Sequence, residues 1–344
     1  MDNPSVQIQG LIPADPSPWE VVPPGEAQAT QTIEAALAAL VRAGAANGPA
    51  RRDAHPKAHG CVRAEFRVLD DLPSSLQVGV FAGSRTYQAW IRFSNGFETP
   101  QDDKIGDARG MAIKLMGVEG SSSGTQDFLM INNPTLFVRD AIDYVAFQGA
   151  TDHPLRFFFP SWNPFTFRLR ELWVMRAIIS QTVTNMLNIR YWSVTPYLYG
   201  DIPCKFSAKP AGPAFAFNET VGPNFLRDNL AKSLNAAEAT FDFCVQLRTQ
   251  PESMPVEDPR IEWREADSAF IPVARITIPK QSFETQEQTA FCENLSFTPW
   301  HGLDAHRPLG GINRVRRTVY ETISRLRHDI NATPREEPTA RTPL

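Results

Sequence analysis

Cysteine is scarce in this 344-residue sequence: Cys61, Cys204, Cys244 and Cys292 are the only four, and no two stand at CxxC spacing. A structural zinc site built on paired thiolates is therefore not expected. So few thiols in so long a chain suit a reducing compartment. There is also no basic block. The 34 lysines and arginines are set against 38 aspartates and glutamates, a net charge of −4. That balance argues against a nucleic-acid binder, whose electrostatic footprint is positive. The opening MDNPSVQIQG has neither a charged leader region nor an apolar one, and no later run is long and apolar enough to span a bilayer. A cytoplasmic enzyme without a membrane span is the resulting expectation.

What is present changes period along the chain. Residues 1–28, rich in Pro and Gly, read as an extended arm, able to exchange between subunits of a homo-oligomer. Residues 29–46 read as an Ala-rich helix that opens the main domain, 29–330. From residue 61 the period becomes two. In CVRAEFRV, Val62, Ala64, Phe66 and Val68 share one face, while Arg63, Glu65 and Arg67 share the other, as in a half-buried strand. TYQAWIRF, GMAIKLMGV and TQDFLMIN continue an antiparallel group. The stretch 165–187 reads as one long helix. Its arginines and aromatics resemble those of a membrane-surface helix, but Glu171 and the polar tail break the cationic face, and a partly buried core helix is preferred. PCKFSAK, TFDFCVQLR and PVARITIPK read as further strands, QEQTAF as a short helix, and 313–329 as the last helix. Residues 331–344, Pro-rich and charged, read as a disordered tail. Strands, helices, strands and a final helix in that order imply an α+β domain on a β-barrel or curled sheet.

Some residue groups suggest chemistry. His55 and His59 have the i,i+4 spacing of a helical metal pair, but Pro56 pushes His55 toward an extended conformation. His55 is thus a loop residue, catalytic or structural. Arg92 and Ser94 lie on the polar face of their strand, which suits either solvent or a site. Asn132 and Asn133 precede Pro134, as in a turn or a site. Arg316 and Tyr320, four apart, share a helical face. A neighbouring guanidinium lowers a phenol's pKa, and a phenolate can ligate ferric haem iron. His301 and His306 lack a motif partner and read as structural.

Taken in order, these fragments resemble the haem catalases and their smaller catalase-related relatives. The fragments are Arg52-Asp53-Ala54-His55-Pro56-Lys57, then Arg92-Phe93-Ser94, then Asp107-Ala108-Arg109-Gly110-Met111-Ala112-Ile113-Lys114. Asn132 to Asp140, Gln288-Thr289-Ala290-Phe291 and the Arg316/Tyr320 helix follow, so the likeness runs over roughly residues 50 to 330. It implies a catalase-like antiparallel barrel with surrounding helices, and haem b as cofactor. It implies Tyr320 as the iron ligand with Arg316 as its charge partner, His55 as the distal acid–base residue and Asn132 (or Asn133) as the amide beside it. Ser94 would orient His55. Arg52, Arg92 and Arg327 (or Arg325) would meet the haem propionates, and Phe137 would stack near the distal haem face.

The departures shape the activity expected. The chain is short and lacks the long wrapping segment and C-terminal helical region of catalases, and Ala54 stands where those enzymes place Val before the distal His. The expected function is peroxide-dependent oxidation of a small organic donor, with weak or secondary catalase activity. The alternatives are an isomerase or dehydratase of organic or lipid hydroperoxides, and a non-catalytic haem-binding protein.

Overall fold

The computed structural model describes residues 16–46, 48–150, 152–335 and 337–339. Most of the N-terminal arm, residues 1–15, lies outside them. Helix α1 (Glu26–Ala45) follows Gly25, whose φ of +90° turns the chain into the first turn. Ala29, Ile33, Leu37 and Val41 recur every four residues and make its buried stripe.

The next four elements are strands β1 (Ala58–Val68), β2 (Thr86–Asn95), β3 (Arg109–Met116) and β4 (Thr125–Ile131). Helices α2 (Ala141–Gln148), α3 (Leu155–Phe158) and α4 (Leu169–Ile179) follow. Then come β5 (Tyr191–Trp192), β6 (Tyr197–Tyr199) and β7 (Ile202–Pro210), helix α5 (Phe225–Ala236), β8 (Ala239–Leu247), β9 (Ile271–Ile278), α6 (Gln286–Asn294) and α7 (Gly311–Ile330). The sheet runs β5-β4-β3-β2-β1-β9-β8-β7, and β7 pairs back onto β5, which closes a ring of eight strands; β6 flanks β7. Each pairing in the ring is antiparallel. Closure leaves no open strand edge in the ring.

The alternation read from the sequence sets the two faces. Val62, Ala64, Phe66 and Val68 of β1 point inward, as do Tyr87, Ala89, Ile91 and Phe93 of β2. Aromatic rings fill the interior: Phe128 packs 4.9 Å from Phe206 and 4.8 Å from Phe243, and Phe66 lies 5.0 Å from Phe243. Each such fully buried ring contributes about 1.5–3 kcal/mol. From Trp90 onward the outer face of β2 is buried too. Arg92 and Ser94 are each only 3% exposed, because they face a site rather than solvent.

Against the sequence-based expectations, 165–187 is not one helix. Asn163 caps a short 3₁₀ turn at Pro164–Thr166, and α4 covers only Leu169–Ile179. Beyond it come Thr182, Val183 and Thr184, β-branched residues that favour extended backbone. Within α4, Glu171 and Ile178 are buried and Leu172 and Met175 pack on the apolar cluster of Phe157 and Phe158, while Trp173 is exposed, so the helix is partly buried, but shorter than expected. Helix α5 lies outside the sequence-based expectations, although Leu226, Leu230 and Leu234 recur every four residues. In the C-terminal segment expected to be disordered, Arg335 reaches Glu321 at 2.7 Å and Glu337 reaches the buried Lys114 at 2.7 Å. Among the described residues, no helix is long and apolar enough to cross a membrane.

Helix α7 has two working faces. Val315, Val319 and Ile323 pack on the stripe of α1. Arg316, Tyr320, Ser324 and Arg327 line a cavity against the outer face of the barrel.

Candidate active site

Strand register builds the cavity wall. Ser94 pairs with Gly110, and Gly110 with Ile131; two residues along, Arg92 pairs with Ala112, and Ala112 with Leu129. Period two puts both rows on one face, and all six residues line the cavity. Residues 52–55 close one side, Leu295–Thr298 another, and α7 a third. The cavity holds about 930 Å³ of empty space, part of it open to solvent.

His55 is fixed from several directions. Its Nδ1 lies 2.9 Å from Ser94 Oγ, so Nε2 is the ring nitrogen left to face a ligand. Its N–H donates to Gly96 O at 3.4 Å, and Arg92 Nη2 donates to its carbonyl at 2.8 Å. The backbone has φ of +58°, a left-handed conformation uncommon outside Gly. Glycine is required opposite it: a Cβ on Gly110 would come within 2.7 Å of His55 Nδ1 and 2.8 Å of Ser94 Oγ. The rest of the Asp107–Gly110 motif braces the loop behind. Asp107 Oδ1 accepts from the N–H groups of Gly96 and Phe97 at 3.1 Å, and Arg109 bonds Asn95 and the Asp103 carbonyl. Burial and the charges of Arg92, Arg316 and Arg52 push the imidazole pKa down to about 3. His55 is therefore neutral at ordinary pH and available as a base.

Three guanidinium groups converge on Glu293, two of them on its carboxylate. Arg52 Nη1 is 3.0 Å and Arg92 Nη2 3.8 Å from Glu293, and Arg327 bonds the Glu293 carbonyl. Burial would raise the Glu293 pKa, but Arg52, Arg92 and Arg327 outweigh it and hold it low. Burial and the nearby Arg52 push Arg327 down to about 9. Arg92 Nε and Arg327 Nε are buried without a hydrogen-bond partner among the described residues. The surplus cations and orphan donors suit a ligand that brings its own carboxylates, as the propionates of haem would. Arg327, not Arg325, faces the cavity; Arg325 bonds Glu321 at 2.7 Å and is largely exposed.

Tyr320 lines the same cavity with Arg316. The expected lowering of its pKa is corrected by the structure. Burial raises the phenol above its ordinary value, and the opposing pull of Arg316 is smaller; Asp53 adds to the rise. A buried phenol beside a guanidinium still fits a ferric iron, whose charge would stabilise the phenolate.

Two expected site residues are elsewhere. Asn132 is turned away from the cavity: its Oδ1 accepts from Arg109 N at 2.7 Å and its Nδ2 donates to Gln181 at 2.8 Å. Asn133 bonds Thr135. Ile131 takes the wall position instead. Phe137 packs 4.7 Å from Phe147 in a separate apolar cluster. For Asn132 the reason is backbone alternation: Ile131, the last residue of β4, faces the cavity, so the next side chain points to the other side. His59 bonds Asn95 at 2.7 Å, His301 sits 3.3 Å from Lys114, and His306 is packed on Phe81, Tyr199 and Phe206, so none of the three lines the cavity. Glu293, Val194 and Arg335 belong to the site or its ion pairs without having stood out in the sequence. They arrive from distant segments and carry no local motif.

Comparison with known proteins fits this geometry. The family described as Catalase matches residues 48–157, a stretch that carries His55, Arg92, Ser94 and Gly110 but not Tyr320. A search of curated proteins found no match. Among solved structures, a fungal catalase is 16% identical, with a TM-score of 0.62 over 85% of this chain and 64% of that one. Catalase A from Saccharomyces cerevisiae is 16% identical, with a TM-score of 0.64 over 84% and 65%. A bacterial catalase is 16% identical, with a TM-score of 0.62 over 98% and 67%. The chain thus spans just under two thirds of the length of the fungal and yeast enzymes. The α+β barrel with its surrounding helices is the catalase fold. The family match over residues 48–157 and the shared fold over most of the chain make this protein similar to the catalases in its N-terminal motifs and in its barrel.

Proposed function

We propose that the protein binds haem b in this cavity and uses peroxide to oxidise a small organic donor, with dismutation of hydrogen peroxide weak or secondary. The observation that carries the reading is the neutral, oriented His55 in one cavity with Tyr320 and the guanidinium cluster. Tyr320 would hold the iron, with Arg316 favouring its ionised form, and Arg52, Arg92 and Arg327 would hold the propionates. Bound there, an iron porphyrin supplies the redox capacity that breaks a peroxide O–O bond. His55 Nε2 takes a proton from the hydroperoxyl group and returns it to the departing oxygen, so that water or an alcohol leaves rather than an anion. Ser94 keeps Nδ1 engaged, which fixes the ring through both transfers. With the Asn132 amide committed to Arg109 and Gln181, His55 would act on peroxide without that amide to position it. This favours a slow use of hydrogen peroxide over fast dismutation.

A second reading, conversion of an organic or lipid hydroperoxide, is favoured by the same vacancy of polar groups. Ile131 stands beside Gly110 where an amide was expected, and the small Ala54 precedes His55, so the distal side is apolar and roomy.

The test is spectroscopic first. Haem added to the purified protein should give a high-spin ferric spectrum with one haem per chain, and Tyr320→Phe should lose the haem or shift its charge-transfer bands. Identical spectra for the variant would remove Tyr320 as the ligand. Oxygen release, oxidation of a dye donor and consumption of a fatty-acid hydroperoxide, measured side by side, separate the activities.

A further inference from the structure

We propose that the face formed by α3, the 159–168 turn and α4 docks onto an anionic lipid surface. This face is independent of the haem site. Single exposed apolar residues are ordinary, but a contiguous group marks an interaction surface. Here Trp162 is 100% exposed, Phe165 96%, Trp173 68% and Leu155 66%, with Leu169 and Ile179 also exposed. All lie within 25 residues of one another in the chain.

The turn that presents them is stiff. Asn163 Oδ1 accepts from Phe165 N at 3.1 Å, and Ser161 Oγ lies 2.9 Å from Thr166 Oγ1. Arg168 N donates to Phe158 O at 2.9 Å, and Phe159 meets Phe167 edge-on at 5.0 Å. Trp162 and Phe165 are thus held outward by a locked base, so little ordering entropy remains to be lost on docking.

Charge selects the occupant. Although the whole chain is acidic, residues 155–179 contain four arginines (Arg156, Arg168, Arg170 and Arg176) and one carboxylate, Glu171. Glu171 is buried and already paired with Arg260. Arg156, Arg170 and Arg176 are exposed on the same segment as the aromatic side chains. Indole and phenyl rings seat in the interfacial layer of a bilayer, and guanidinium groups pair with lipid phosphates above them. A two-fold contact with a second copy would instead bring two such arginine sets to one interface with no free carboxylate on this segment to pair them. Docking here would bring lipid close to the cavity: Gln181, two residues past α4, accepts from Asn132, which follows Ile131 of the cavity wall.

The experiment is sedimentation of the full chain with vesicles of phosphatidylcholine alone and of phosphatidylcholine with an equal share of phosphatidylglycerol. Binding to the mixed vesicles, weak binding to the neutral ones and loss of binding at high salt are expected. Trp162→Ser with Phe165→Ser, and separately Arg156→Glu with Arg176→Glu, should each lower partitioning roughly tenfold or more, with thermal unfolding unchanged because neither pair packs in the core. No sedimentation of the wild type, or equal sedimentation of wild type and both variants, overturns the proposal. So does a wild-type dimer, seen by analytical ultracentrifugation, that the aromatic pair of substitutions dissociates without vesicles present; that result would assign the face to a second copy.

Discussion

His55 carries backbone strain and a displaced proton equilibrium at the same position. A histidine at φ +58° costs on the order of 1 kcal/mol, which the Gly96 and Arg92 hydrogen bonds on either side of its α-carbon hold in place. Strain of this kind, in a residue that also faces a cavity, is a mark of a working site. Replacing His55 with Ala should slow reaction with peroxide roughly 10²–10⁴-fold, the range for lost acid–base catalysis; stopped-flow mixing measures it, and an unaltered rate would take His55 out of the mechanism. With its pKa pushed down to about 3, the ring stays unprotonated well below neutrality. The peroxide reaction should accordingly show no acid limb near pH 6.5 from this residue, a point that a pH–rate profile between 5 and 8 checks directly.

At the level of elements, α7 joins the site to the frame. Its cavity face bears Arg316, Tyr320 and Arg327, and its opposite face packs on α1. What pins its N-terminal end is Arg314, which pairs with Glu20 at 2.6 Å, Glu26 at 2.6 Å and Glu257 at 2.9 Å. These carboxylates come from the chain before α1, from α1 itself and from the loop before β9. Arg314→Leu would leave three partly buried carboxylates facing one another. The expected loss is about 3–5 kcal/mol, the usual cost of stripping one partner from a buried ionic cluster, read as a lower urea midpoint. A shift below about 1 kcal/mol would place the cluster among screened surface pairs.

Across the whole molecule, a neutral histidine is packed against the aromatic interior of the barrel. His306 is fully buried, its Nε2 accepts from Val80 N at 3.1 Å, and Phe81 meets the ring edge-on at 5.3 Å. Burial pushes its pKa down to about 4. The unfolded chain therefore binds this proton more readily, starting near pH 6.5, and the contribution of His306 to stability is lost as pH falls from there toward 4. A His306→Gln variant lacks that linkage. Its stability deficit relative to wild type should shrink by about 2 kcal/mol between pH 7 and pH 5, as followed by denaturant titration at each pH. A deficit that stays constant would mean that His306 keeps an ordinary pKa in the folded state.

Local pattern determined much of this. The period of two in β1 and β2 placed Phe66 and Phe93 inside and Arg92 and Ser94 on the opposite face, and the i,i+4 spacing put Arg316 and Tyr320 together, because these relations follow from backbone geometry alone. Tertiary structure decided what depends on environment. It turned Asn132 toward Arg109 and left Ile131 on the wall, since neighbouring side chains at a strand end face opposite sides and only the strand pairing fixes which one meets the cavity. It raised the Tyr320 phenol, since desolvation depends on everything packed around a group and outweighed the one charge visible four residues away. It also brought Glu293 beneath three arginines and left Trp162 in solvent, because which distant segments meet, and which face stays uncovered, is fixed only when the whole chain closes on itself.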